Sequence, residues 1–319
     1  MIAFQTCTNK AHLDCEQCKV DRLLHRLKSR MKELSLDELQ HEMLCRLTRL
    51  KASPEELNQN AFGVCGATAV IYLLLNNTNY HDFVTRLFLA VMGGLLFPQE
   101  AMIQFETPKK VAIQFELAKF ANQFTKNAQS QAPFLVDFIL ARGLGEALKK
   151  VNPSVYKTNK TNFDVKYWGM ESHKTGSLAL NTAALMAILQ EVVGLKAKII
   201  ELDKSDPVSA LVQLSQKFGK DRMAIAGVWS EPFNPAFGSN PKAEYLSLLE
   251  PIQDTTSTPK AKIESGMPYN HWVVLNGKMK LNKDDTIEVP LWSWGASKTF
   301  MFSKKSLTTY IKEVIVVKS

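Results

Sequence analysis

The sequence predicts an α+β protein, with helices in the first part of the chain and a sheet in the last. Apolar residues recur at helical spacing up to about residue 193. From Arg222 onward they recur instead in short apolar or alternating runs separated by polar turns. Helices followed by strands are typical of an α+β architecture. With 319 residues, 45% of them hydrophobic, the chain is long enough to bury a sizeable core.

The first 57 residues are predicted to form a helical N-terminal extension. Between Val20 and Leu50, leucines and methionines recur at helical spacing among charged residues. Ser35 to Glu38 supplies the N-cap and acidic first turn of a helix start. The extension is interpreted as a targeting arm, a chaperone-binding region or a lid, and its sequence does not choose among these.

Residues 58–319 are predicted to form the main domain, with a helical lobe over about 58–200. The helix that follows Gly63 is apolar on all sides, so it should be buried. Another helix is expected over Leu180 to Val193, with Gly194 as its C-cap and a short strand after it. Val151 to Trp168 is polar and is predicted to be a loop.

A sheet lobe is predicted over about 222–319. The alternating or β-branched stretches are MAIAGVW, HWVVLNG, TIEVPLWSW, KTFMFS and IKEVIVV. Between the first two of them, Pro232 to Pro268 is rich in Pro, Ser and Thr and is predicted to be mostly loop.

The charge pattern does not predict a nucleic-acid partner. The net charge is +8, but the richest basic stretch, Lys19 to Lys51, is interleaved with Asp and Glu, as on a solvated helix face. The N-terminus lacks a basic start and an apolar core, and Leu87 to Phe97 is too short to cross a bilayer. We therefore expect no membrane span, and a protein that is cytoplasmic in the producing cell or exported without a cleaved leader.

Cys65 stands where a polar, Pro-bearing segment gives way to a long apolar run. If it opens the buried helix, unpaired N–H groups and the helix dipole face the sulfur, which lowers the thiol pKa and favours the reactive thiolate. Gly63 and Gly66 are then expected to leave room for a substrate. The alternative is a cysteine that acts as a small buried hydrophobe.

A nucleophilic cysteine needs a base, and of the six histidines only His271 opens a predicted strand. Val273 and Leu275 would share its strand face. Gln59, six residues before Cys65, is predicted to complete an oxyanion hole with the Cys65 backbone N–H. The alternative for His271 is a histidine whose hydrogen bonds are satisfied in the core or at the surface.

These residues resemble the motifs of the papain-like cysteine peptidases. Gln59, Gly63 and Cys65 match the spacing of that family's glutamine, glycine and nucleophile, Asn270–His271 resembles its Asn-His dipeptide, and Ser293–Trp294–Gly295 resembles its Ser-Trp-Gly. The resemblance covers only these short patches. It implies a papain-like fold with a central nucleophile helix, and it is similar in particular to papain-fold effectors and toxins of bacterial secretion systems.

One departure leaves the third member of the catalytic group open. The family's asparagine before Ser-Trp-Gly is Trp292 in this chain. Ser293 is one candidate to orient the histidine ring, Asp284 or Asp285 in the preceding turn are others, and a Cys–His dyad alone is a further alternative. One of Trp292 and Trp294 is expected to shield the dyad from water, and the alternative for both is ordinary core packing.

The resemblance implies a cysteine hydrolase that attacks an amide bond and passes through an acyl-enzyme, without a cofactor. Its substrate would be a protein, a peptide or a peptidoglycan peptide, either cleaved or deamidated at glutamine. The alternatives are an acyltransferase or transglutaminase, and a catalytically weakened papain-fold binding protein. An inhibitory or immunity protein, or a host target, is the partner that an effector or toxin implies.

The remaining cysteines leave a zinc site as a minor alternative. Cys7, His12, Cys15 and Cys18 include a CxxC pair, and zinc accepts four such ligands. Structural zinc sites normally show two paired ligand clusters, which this spacing lacks, so free thiols or a redox-formed disulfide are the competing interpretations.

Overall fold

The structure is a computed structural model, and over the residues it describes the chain folds as mixed helix and antiparallel sheet. The predicted α+β class is therefore confirmed, while the papain-like fold stays a prediction. The described residues are 37–57, 65–96, 105–115, 136–137, 139–158, 180–200, 206–219, 222–228, 271–293 and 295–318.

The helical layer comes first in the chain and shares one hydrophobic core. Its helices are α1 (Asp37–Ala52), α2 (Cys65–Leu75), α3 (His81–Leu96), α4 (139–151), α5 (Pro153–Thr158) and α6 (Thr182–Ala187). Helix α2 is buried at every residue, as its lack of a polar face requires.

Helix α6 continues into a π-helix, Ile188–Val193, which closes wider hydrogen-bonded turns than an α-helix. The Asn181 side chain caps the start of α6 by accepting a hydrogen bond from the Ala184 N–H. Gly194 ends the π-helix at a φ of +83°, a left-handed conformation that glycine adopts at little cost, so the predicted C-cap is confirmed.

The strands form a small hairpin and one large sheet. The hairpin consists of β1 (Phe105–Glu106) and β2 (Ala112–Ile113), and the sheet of β3 (Lys196–Ile200), β4 (Arg222–Val228), β5 (His271–Leu275), β6 (Lys280–Leu281), β7 (Thr286–Ser293), β8 (Ala296–Ser303) and β9 (Ile311–Lys318). The seven-stranded sheet has the order β3–β9–β4–β5–β7–β6, and β8 also pairs with β7. All of its pairings are antiparallel.

The large sheet separates two hydrophobic cores. On one face, Trp272 and Val274 of β5 pack into the core of the helical layer. On the other face, Val273 and Leu275 pack into a second core with helices α7 (Pro207–Ser215) and α8 (Lys304–Tyr310). Both faces of β5 are therefore buried, as its continuous apolar sequence allows.

The strand predictions for β3, β4, β5, β7, β8 and β9 are confirmed, whereas several short elements differ from the expectation. Pro153–Thr158 forms a helix inside the predicted loop, because Asn152 accepts a hydrogen bond from the Val155 N–H and caps it. The hairpin of β1 and β2 interrupts a region expected to be helical, with Phe105 opposite Ile113. Two-residue strands are too short for a periodic signal.

The predicted extension ends in a helix that belongs to the first core. Met43, Leu47 and Leu50 of α1 are buried in that core. Arg46 makes a two-pronged contact with Asp137, with Nε to Oδ1 at 3.1 Å and Nη2 to Oδ2 at 2.7 Å, and both side chains are buried. The described end of the extension is thus held to the helical layer by packing and by a buried ion pair, and the domain boundary at residue 57 stays a prediction.

Replacing Asp137 by Ala should destabilise the fold by about 3 kcal/mol, because the buried Arg46 would lose the carboxylate that it contacts twice and keep only the more exposed Glu56, at 3.2 Å. Urea unfolding followed by circular dichroism measures the change. The matched control is Glu288→Ala, which removes a carboxylate from an exposed pair with Lys280 at 2.9 Å and should cost at most about 1 kcal/mol. Equal losses in the two variants would contradict a stabilising role for the buried pair.

Candidate active site

Cys65 is the first residue of α2, and backbone N–H groups near its sulfur favour the charged form of the thiol. They are the N–H groups of Gly66, of Trp272 and of Cys65 itself. The first two come from different elements, the start of α2 and the start of β5. The side chain is only 5% exposed, so this polar contact lies inside the protein.

The position of the Trp272 N–H near the sulfur brings Cys65 close to His271, which precedes Trp272 in the chain. The approach of Gly66 to the Trp272 side chain shows the same contact between the start of α2 and the start of β5. Two residues 206 positions apart (271 − 65) are thus neighbours across the junction between the helical layer and the sheet.

His271 is the first residue of β5, and its ring is held by Ser293, the last residue of β7. The ring nitrogen Nε2 lies 2.6 Å from the Ser293 Oγ, and both side chains are buried. Whether the hydroxyl or the ring donates depends on the histidine tautomer. Ser293 is therefore the one of the sequence candidates that contacts the ring among the described residues.

The two aspartates considered as orienting residues are too far away, so that prediction was wrong. Asp284 accepts hydrogen bonds from the N–H and hydroxyl of Thr286, and Asp285 pairs with Lys304. Both lie in the turn that begins the eight-residue strand β7, whereas Ser293 ends it, about 25 Å along the strand.

The thiol and the imidazole lie on opposite faces of the sheet at the start of β5, because successive side chains of a strand point to opposite faces. Trp272 packs toward the helical layer, where Cys65 lies, whereas His271 is in register with Val273 on the second face. A proton that passes from the sulfur to the ring therefore has to go from one face of the sheet to the other, around the first residue of β5.

The space beside Gly66 is filled by other side chains of the protein, whereas the sequence predicted that it would leave room for a substrate. A Cβ at this position would lie 3.1 Å from the Leu180 side chain and 3.1 Å from Cδ1 of Trp272. The indole of Trp272 also donates from Nε1 to the Leu180 carbonyl at 2.6 Å. The bare glycine backbone therefore lets the first turn of α2 approach β5 without pressing on these two side chains.

Burial determines the charge of Cys65 and His271, and the lowered thiol pKa predicted from the sequence is wrong. Removal from water raises the pKa of the Cys65 thiol to about 11, against the N–H hydrogen bonds that lower it. Removal from water lowers the pKa of His271 to about 3. The expected thiolate at the helix start is therefore absent, and both groups are neutral at pH 7 in this conformation.

Trp292, which stands where the papain-like family has its asparagine, packs into the first core. Its ring stacks on Tyr72 of α2, with centroids 4.1 Å apart and planes 12° apart. Its Nε1 donates to the Glu55 carbonyl at 3.3 Å. Trp292 therefore packs in the core, as the alternative predicted, and it connects β7 to α2 and to the end of the extension.

Several predicted site residues lie outside the described residues, so their predicted roles stay predictions. They are the oxyanion candidate Gln59, the motif residues Gly63, Asn270 and Trp294, and the zinc candidates Cys7, His12, Cys15 and Cys18. Within the described ranges, no three His, Cys, Asp or Glu side chains are grouped as around a metal ion.

Sequence reasoning missed two residues that shape the site. Trp272 supplies the N–H that reaches the sulfur, and Leu180 supplies the carbonyl that holds its indole. The position next to His271 marked Trp272 as a neighbour of the site. No local pattern marked Leu180, because its contact with residue 272 depends on the tertiary fold.

Comparison with known proteins assigns no family: no family model, no curated protein and no solved structure matches this chain. Among the helices that the structure describes, none is both long and apolar enough to span a membrane.

The protonation of His271 should make the fold lose stability in acid. Its pKa is about 3 in the folded protein and 6.5 when unperturbed, so between these values the unfolded chain binds the extra proton. The free energy of unfolding should fall as pH falls through this window, by at most about 1.4 kcal/mol per pH unit from this group.

The measurement is urea unfolding at half-unit steps between pH 4 and 7, on the wild type and on His271→Gln. The glutamine keeps a polar partner for Ser293 but does not titrate, so its curve should be flatter by the contribution of the histidine. Parallel curves for the two proteins would contradict a buried neutral ring.

Proposed function

We propose that this protein is a cysteine-dependent hydrolase of papain-like fold that acts on an amide bond. The observation that carries the proposal is the Cys65 sulfur at the start of a buried helix, near the backbone N–H of the residue after His271. The contact of His271 with Ser293 supports it, because a catalytic histidine needs a second group to orient its ring.

The reaction starts from a neutral pair of groups. In a conformation where the ring reaches the sulfur, His271 takes the proton of the Cys65 thiol while the sulfur attacks the carbonyl carbon, so no thiolate has to exist beforehand. The same imidazole then gives its proton to the leaving amine, and water hydrolyses the thioester. The backbone N–H of Cys65, one of the N–H groups without a partner inside the helix, would donate to the developing oxyanion.

Burial limits when this chemistry proceeds. A thiol with a pKa of about 11 and an imidazole with a pKa of about 3 exchange a proton at a high energetic cost. Activity therefore requires a conformation in which the pair is more exposed or is rearranged by the substrate. The substrate class, a protein, a peptide or a peptidoglycan peptide, rests on the resemblance alone, and so does the role as a bacterial effector or toxin.

A second candidate function, a papain-fold binding protein without catalysis, is favoured by the same burial. Cys65 is 5% exposed and His271 is 4% exposed, so both fill space in the core as ordinary residues would. The absence of an asparagine before Ser-Trp-Gly favours it as well.

An electrophilic peptide that mimics an amide substrate, such as a peptide vinyl sulfone, should alkylate Cys65. Intact-protein mass spectrometry with peptide mapping locates the adduct. Cys45 is exposed and is the matched control, so Cys45→Ser should keep the adduct and Cys65→Ser should lose it. His271→Ala should also lose it although the thiol remains, because the base is gone.

Alkylation confined to Cys45, or labelling of His271→Ala at the wild-type rate, would exclude the hydrolase and leave the binding protein. Plain iodoacetamide does not separate the two functions. The exposed thiol of Cys45 should react first in either case, because burial keeps Cys65 protonated.

Ser293 should act as a positioning residue for His271. Ser293→Ala leaves the buried Nε2 without this hydroxyl and should destabilise the fold by about 1–3 kcal/mol. It should also lower the rate of Cys65 alkylation under conditions where the protein is still folded, whereas Ser293→Thr, which keeps the hydroxyl, should restore that rate. An unchanged rate in folded Ser293→Ala would limit the serine to a structural role.

A further inference from the structure

Three cations lie side by side across one end of the large sheet. Lys196 on β3 is opposite Lys318 on β9, and Lys318 is opposite Arg222 on β4. Residues directly opposite in antiparallel strands share a face, with Cβ atoms about 5 Å apart. Lys198 follows on the same face, two residues along β3. We name Lys196, Lys198, Lys318 and Arg222 the basic row.

The basic row is not neutralised by carboxylates of the described residues. Its three lysines are exposed and Arg222 is half-buried. None of the ion pairs formed within the described ranges includes any of the four. Like charges directly opposite each other destabilise a sheet, so an anionic ligand would relieve a repulsion already present in the free protein.

Protection of the sheet edge explains only half of the basic row. Lysines on an edge strand discourage pairing with other sheets, and this accounts for Lys196 and Lys198. Lys318 lies on β9, which is paired on both sides, and Arg222 lies one strand further in. Edge protection gives no reason for cations at these inner positions.

Besides its charges, strand β3 presents an apolar side chain and backbone groups that a ligand can contact. It is the terminal strand of the sheet in the described residues, and Ile199, on the face opposite the lysines, is 39% exposed. A terminal strand presents backbone groups to which an extended peptide can add. The Gln190 side chain already donates to the Ala197 carbonyl at 2.9 Å, so an added strand pairs beyond Ala197 or displaces this amide.

We propose that β3 and the basic row bind an extended acidic segment of a protein partner, which adds as a strand beside β3. Its carboxylates would face Lys196 and Lys198, and apolar side chains at alternate positions would face Ile199. A polyanion such as a nucleic acid would use the charges alone and leave Ile199 and the strand edge unused. A second copy of this chain is disfavoured, because pairing β3 with itself brings its lysines together.

The surface is distinct from the candidate active site. Arg222 begins the seven-residue strand β4, and Val228, which pairs with His271, ends it, about 20 Å away. Substitutions in the basic row therefore leave Cys65 and its neighbours untouched, and this proposal stands or falls independently of the hydrolase.

The test is fluorescence anisotropy with the full-length protein and a labelled peptide of alternating Glu and Val. Lys198→Glu should weaken binding at least about tenfold. The matched control is Lys157→Glu, an exposed lysine on α5, which should change binding less than about twofold. The same peptide with a central proline, or with Lys in place of Glu, should not bind.

Thermal unfolding adds a readout that a merely structural lysine would not give. Lys318→Glu breaks the run of like charges, so it should raise the melting temperature of the free protein while weakening peptide binding. Equal effects of Lys198→Glu and Lys157→Glu, undiminished binding of the proline peptide, or tighter binding of heparin than of the acidic peptide would each overturn the proposal.

Discussion

The close approach of the first turn of α2 to the start of β5 is the constraint on which the candidate site depends. A residue without a side chain at position 66 favours this approach, since a Cβ there would lie only 3.1 Å from the side chains of Leu180 and Trp272. Once the two elements are in contact, the N–H of Trp272 is delivered to the sulfur of Cys65. His271 comes close to Cys65 as well, because it is joined to Trp272 by a peptide bond.

The same packing decides the charge of the site. The N–H groups at a helix start stabilise an anion by about 0.3–1 kcal/mol in exposed positions and up to about 2 kcal/mol when partly buried. Burial of a charged group costs more, and the net result here is a thiol whose pKa lies near 11. At Cys65, burial therefore outweighs the effect of the helix N-terminus on the thiol.

The sequence predicts the order of the elements better than it predicts their contacts. Long periodic segments such as α2 and β4 are recognisable because burial imposes a repeat on them. The short elements α5 and α8 depend on caps at Asn152 and Ser303, and such caps are common in loops as well.

In the candidate site, the resemblance and the strand pattern predicted that positions 65 and 271 lie near each other, and the starts of α2 and β5 are in contact. The contact of Ser293 with the ring was one of several alternatives, and only the register of β5 against β7 separates it from Asp284. The raised thiol pKa was not predictable, because it depends on how many other elements cover the start of α2. Burial of that kind is a property of the whole fold.

The π-helix at Ile188–Val193 makes the length of this segment matter in itself. Hydrogen bonds that skip one residue further than in an α-helix are what a single inserted residue produces when the rest of the fold holds the ends in place. Removing one residue would return the segment to α-helical winding while its two ends keep their places, so the side chains within the widened turns would change direction. Gln190 and Glu191, which now reach Ala197 and Asn152, would then point elsewhere. Homologues that lack the extra residue would have to anchor β3 by different contacts.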